Sequence, residues 1–135
     1  MQANHVGADY PNKFGNYAVA SGQAINIATA GNAVATLGTT GTGFIVRRIT
    51  VANANKSIAT ANVTVLTSSD GNASNAVASA TLLSNITSTT TYQDLTLASG
   101  TLTKVYDAGA LYVRVIAGVS GATCDVTVYG DIVNL

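Results

Sequence analysis

The chain has 135 residues, zero formal net charge, 9% charged and 47% hydrophobic side chains, one His, one Cys and no Trp. That length makes one domain burying roughly two-thirds of its unfolded surface, and a lone cysteine excludes an internal disulfide framework. So few Lys and Arg argue against a phosphate-backbone surface and hence a nucleic-acid partner, and no window approaches the run of about 18 apolar residues that a membrane span needs.

Residues 1–22 stand apart. They hold the only proline, Pro11, with Tyr10, Phe14 and Tyr17, but no sustained alternation. The reading is an extended N-terminal arm with aromatic anchors, lying across a neighbouring subunit or folded back on its own domain. Its opening, Met1 to Pro11, lacks the basic start and apolar block of a secretory signal, so the protein is expected to accumulate in a cytoplasm.

From residue 23 onward apolar residues recur in twos, the period of a strand with one buried and one wet face. Gln23–Thr29 places Ile25 and Ile27 together, and Gly31-Asn32 turns the chain. Ala33–Leu37 is a short strand before the Gly38–Gly43 loop. Phe44–Asn53 reads as a long strand in two parities: Phe44 and Val46 share one face, Ile49 and Val51 the other. A β-bulge near Arg47-Arg48 reconciles them.

Ala61–Thr67 carries Val63 and Val65 inward, and Ser68-Ser-Asp-Gly-Asn72 is a turn, since Asp-Gly tolerates positive φ. Ala76–Leu83 is Ala-rich, yet its Ser/Thr surroundings favour a strand. Thr91–Ala98 is predicted to alternate with Leu95 and Leu97 inward, Leu102–Val105 to form a short strand, and Asp107–Gly109 to turn. Ala110–Ala117 sends Leu111, Val113 and Val115 inward. After a turn at Gly118–Gly121, the last strand, Thr123–Val133, is predicted to bury Cys124, Val126, Val128 and Ile132. Eight or nine short strands without a convincing helix predict an all-β fold, an antiparallel β-sandwich of jelly-roll kind over residues 23–135.

Chemistry is scarce. His5, the one group titrating near neutrality unaided, has only Asp9 nearby in sequence, short of a hydrolase triad. Cys124 lies on an apolar parity, where a thiol is inert. The acids are six scattered aspartates, Asp9, Asp70, Asp94, Asp107, Asp125 and Asp131, and Asp70-Gly-Asn72 lacks the alternating ligands of a calcium loop. Gly38-Thr-Thr-Gly-Thr-Gly43 leads into a strand, without the Lys and helix of a phosphate cradle. Arg47, Arg48 and Arg114 are mid-strand cations that call for specific carboxylate partners rather than a basic patch. No catalytic, cofactor or metal residues are expected, and the reading is not an enzyme.

The polar arm, the charge-poor Thr/Ala/Val/Asn-rich strands, and segments such as Phe44-Ile-Val-Arg-Arg-Ile-Thr-Val-Ala-Asn53 and Ala110-Leu-Tyr-Val-Arg-Val-Ile-Ala117 resemble the small head decoration (cement) proteins of tailed bacteriophages. The resemblance covers the whole length as a matter of style, with no diagnostic motif. It implies a structural virion protein on the outer surface of the capsid, bound to the major capsid protein as a homo-oligomer, a trimer at local three-fold axes in preference to a dimer. Within it the arm residues Tyr10, Pro11, Phe14 and Tyr17 would be the partner contacts. The competing readings are a carbohydrate- or receptor-binding domain of a tail fibre, with Tyr92, Tyr106, Tyr112 and Tyr129 as candidate platforms, and another virion or filament subunit.

Overall fold

The computed structural model describes residues 17–31, 34–39, 43–107 and 109–133. Eight strands follow in order: β1 (Tyr17–Asn26), β2 (Val34–Thr39), β3 (Gly43–Ala52), β4 (Asn62–Leu66), β5 (Ala76–Leu82), β6 (Gln93–Asp94), β7 (Ala110–Ala117) and β8 (Thr123–Val133). All pair antiparallel in one curled, half-barrel sheet ordered β5-β4-β7-β2-β1-β8-β3-β6. In the middle of the sheet β1 meets β2 at Ala20↔Thr39 and Ser21↔Gly38 among the described residues. Four strands stand on each side of that junction. The all-β, antiparallel expectation is met, and among the described residues no helix is long and apolar enough to cross a membrane.

The strands form where the two-residue period is cleanest. On β8, Cys124, Val126 and Val128 are buried while the alternate Asp125, Thr127 and Tyr129 are part-exposed; Ile132, expected inward on the same parity, is 41% exposed near the strand's end. On β7, Leu111, Val113 and Val115 do the same. β3 contains the bulge that its split parity requires: its register against β8 slips between Val46 and Arg48, leaving Arg47 as the extra residue. Val46 and Ile49 can then both be fully buried. Gly130 lies opposite this bulge, paired with Val46, and a Cβ there would overlap the Ile45 carbonyl. The bulge can press against β8 because that position has no side chain.

Residues 17–22, which the sequence reading assigns to the arm, are the first part of β1, paired to β8 from Tyr17↔Gly130 onward. Register breaks between Ala18 and Ala20 and between Gly22 and Ile25 interrupt that ladder. Val19 and Ala20 are consecutively buried as a result, so no two-residue period survives in the sequence. Residues 1–16 lie outside the described residues.

Two other expectations change. The run Thr91–Ala98 is not one strand; only Gln93 and Asp94 pair with β3. The Leu95 amide still donates to the Ile49 carbonyl, but Thr96 then accepts from the Ser79 amide, and the Ala98 amide donates to Val77. The segment crosses from the β3 edge to the β5 edge and stitches both, which also blunts two edges that could recruit foreign strands. Leu102–Val105 is not a strand either: Thr101–Thr103 is a 3-10 turn entered through Gly100 at φ 82°. The buried Thr101 hydroxyl donates to the Val77 carbonyl, fixing that turn under the sheet edge.

The core fills the hollow between the two sets of strands. Phe44, Ile27, Leu37, Ile49, Ile58, Leu83, Ile86 and Leu111 are its largest fully buried side chains, each contributing about 1.5–3 kcal/mol of transfer free energy. Phe44 stacks on Tyr106 with ring centroids 6.0 Å apart.

Candidate interaction surface

Of the four arm residues proposed as partner contacts, Tyr10, Pro11 and Phe14 lie outside the described residues, as does His5. Tyr17 is 38% exposed at the start of β1. Cys124 is buried on the inner parity of β8, where burial and then the neighbouring Asp125 charge push its thiol up to about 12. At neutral pH it is a protonated packing group, unsuited to nucleophilic work.

The charged side chains are used to brace the chain itself. Arg47 donates through Nε to the Asp131 carboxylate at 2.8 Å and through Nη1 to the Leu102 carbonyl at 3.3 Å, so the bulged residue ties β3 to β8 and to the 3-10 turn. Arg48, on the other side of the slip, lies over the Tyr129 ring at 4.6 Å and 4.0 Å from Asp94. Arg114 takes no carboxylate among the described residues. It donates to the Gly31 and Gly71 carbonyls at 3.4 and 3.2 Å, pinning two loops to β7. Lys56 donates to the Ser120 carbonyl.

The aspartates act likewise. Asp70 accepts from the Asn72 amide at 2.9 Å, and that bond, with smaller help from Ser68 and Asn75, holds its carboxyl below the ordinary 3.8. This is a turn in which the carboxylate oxygen serves backbone and amide donors, as the spacing indicates. Asp125 has a role that the sequence reading missed. Its Oδ1 accepts from the Ala24 amide and its Oδ2 from Asn53 Nδ2, both at 2.9 Å. Ala24 and Asn53 are the non-glycine residues with positive φ among those described, at 50° and 52°. One carboxylate on β8 thus steadies a left-handed residue on each flanking strand, a conformation costing about 1–2 kcal/mol. Asn53, a residue tolerant of positive φ, was the available signal; Ala24 carried none.

No group of three or more His, Cys, Asp or Glu side chains capable of holding a metal occurs among the described residues. What faces outward is mostly neutral. On the β1-β8-β3-β6 side the outer row reads Ser21, Thr127, Thr50 and Asp94 across four adjacent strands, with Ala18, Tyr129 and Arg48 in the next row. Chemically this arrangement can hydrogen-bond and pack against another surface. No protein-family model, curated protein or solved structure matches the chain.

Proposed function

We propose that the chain is a structural protein of a tailed-phage virion, made in the host cytoplasm, that binds the outer surface of the capsid and cements neighbouring capsomers. The observation that carries this reading is how its charge is used. Arg47, Arg114, Lys56, Asp70, Asp125 and Asp131 are all spent on loops and strands of the same chain, so that a surface rich in Thr, Ser and Asn carries few other charges, Arg48, Asp94, Lys104 and Asp107 among the described residues. Such a surface gains little from charge repulsion as protection against association. Many modest contacts repeated around a shell add by avidity, without one strong interface.

Strand order supports the jelly-roll form of the fold. A long hairpin folded at the β4–β5 turn pairs β4 with β5, β3 with β6, β2 with β7 and β1 with β8. Rolling it yields two sets, β5-β4-β7-β2 and β1-β8-β3-β6, matching the observed sequence of neighbours. Capsid and lectin domains both use eight-stranded jelly rolls, so the fold alone does not choose between a shell and a sugar. The four candidate platforms divide: Arg48 covers the Tyr129 ring and Tyr106 is buried, whereas Tyr92 is 66% exposed and Tyr112 part-exposed.

Co-sedimentation of the purified protein with undecorated phage heads tests the proposal, and failure to pellet with saturating heads refutes it. The arm is tested by truncation before Tyr17, because β1 begins there and removal through residue 22 would take half a core strand. The truncated chain should remain folded and lose attachment.

A further inference from the structure

We propose that the outer face of the β1-β8-β3-β6 set is a self-association surface, on which a second copy docks across a two-fold axis that exchanges Arg48 and Asp94. The inference deepens the adhesive role proposed above and rests on it.

The two outer faces of the molecule differ. On the β5-β4-β7-β2 side, Leu66 pairs with the outward Tyr112 and is nevertheless fully buried, and Arg114 crosses to the Gly71 carbonyl of the Ser68–Asn72 loop. Its own chain covers part of that face, while Ile116 on β7 stays 40% exposed. On the other side Arg47 makes a comparable reach to the Leu102 carbonyl, but from the Asp131 end of the face, away from the row of Ser21, Thr127 and Thr50. Ala18 and Ser21 on β1 are exposed, and Thr127, Tyr129 and Thr50 are part-exposed. The residues are short or flat, so another sheet can approach to the usual spacing of about 10 Å.

The face is complementary to itself. Arg48 and Asp94 are 49% and 45% exposed and meet only at 4.0 Å. Within one copy that is a loose contact: Asp94 takes a shorter bond from the Thr50 hydroxyl at 2.6 Å, while Arg48 rests on Tyr129. A two-fold axis lying in the plane between the two docked faces sets each Arg48 against the other copy's Asp94, so both ion pairs form at once, as isologous interfaces require. The hydroxyls of Ser21, Thr127 and Thr50 each donate and accept, so they can hydrogen-bond with polar groups of the facing copy. Of the trimeric and dimeric forms that the resemblance allows, this geometry points to the dimer.

Sedimentation velocity of the full chain across the micromolar range tests the proposal, with circular dichroism confirming that each variant is folded. Wild type should form a dimer. Arg48→Asp and Asp94→Arg should each weaken it roughly tenfold or more, because like charges then face each other across the axis. The double swap Arg48→Asp/Asp94→Arg should restore it, and Lys56→Asp, a comparable change in a loop, should leave it intact. A monomer or trimer throughout, single reversals that dimerise like wild type, a folded swap that stays monomeric, or an equal effect of Lys56→Asp overturns the inference. Heads bound by a strictly monomeric protein would remove this surface while leaving the cementing role; a dimer that ignores heads would do the opposite.

Discussion

Gly130→Ala is the sharpest probe of the β3–β8 junction. A Cβ at that position would overlap the Ile45 carbonyl oxygen and lie 2.9 Å from its carbon and 3.3 Å from Val46 Cα, inside the optimum of about 3.5–4.0 Å for carbon pairs. All three atoms are backbone, so no rotamer change relieves the clash, and β3 must separate from β8 where Val46 pairs with Gly130. Overpacking of this kind costs about 1–3 kcal/mol, and one or two strained ladder bonds add about 1 kcal/mol each. The expected loss is roughly 2–5 kcal/mol, a large share of the 5–15 kcal/mol typical of a domain, with Tm falling by about 10 °C or more. Gly38→Ala is the matched control: nothing lies within 4 Å of its Cβ and its φ is not positive. That change should stabilise by about 0.4–1 kcal/mol. Urea unfolding of both variants decides the matter. A Gly130→Ala protein within about 0.5 kcal/mol of wild type, inside ordinary surface variation, would refute the argument that the missing side chain admits the bulge.

Three further outcomes follow from the same structure. A double-mutant cycle on Arg47 and Asp131, whose side chains are 36% and 12% exposed, should give a coupling of about 1 kcal/mol, at the upper end for surface pairs; zero coupling would remove the tie between β3 and β8. Because the Cys124 thiol is held up to about 12, the unfolded chain loses its proton first as pH rises past the ordinary 9.0. Stability should therefore fall through that window by up to about 1.4 kcal/mol per pH unit, and denaturant titrations of Cys124→Val should show a shallower alkaline limb. Asp125→Ala should cost about 2 kcal/mol, since two hydrogen bonds are lost, whereas Ala24→Gly should gain up to about 1 kcal/mol by relieving its left-handed φ; thermal melts that reverse either sign would contradict the bracing role.

Periodicity made β3, β4, β7 and β8 legible because alternation is a property of neighbouring residues, written wherever one face is wet and the other buried. Even the bulge at Arg47 showed, as a conflict of parity between Val46 and Ile49. The inert setting of Cys124 followed from the same pattern. What the pattern could not hold were relations between residues far apart in the chain. The first part of β1, residues 17–22, was hidden because its register breaks are imposed by β8, and Ala24 is held by a carboxylate 101 residues away. Arg47 finds Asp131 across 84 residues. The segment after Tyr92 abandons one strand edge for another only because the curled sheet brings β3 and β5 to either side of it. Local chemistry determined which residues could be strands and which side of each would be buried. The tertiary structure alone decided which strands met, where the ladder slipped, and which polar groups were consumed in holding it, because those choices depend on contacts that exist only once the chain has closed on itself.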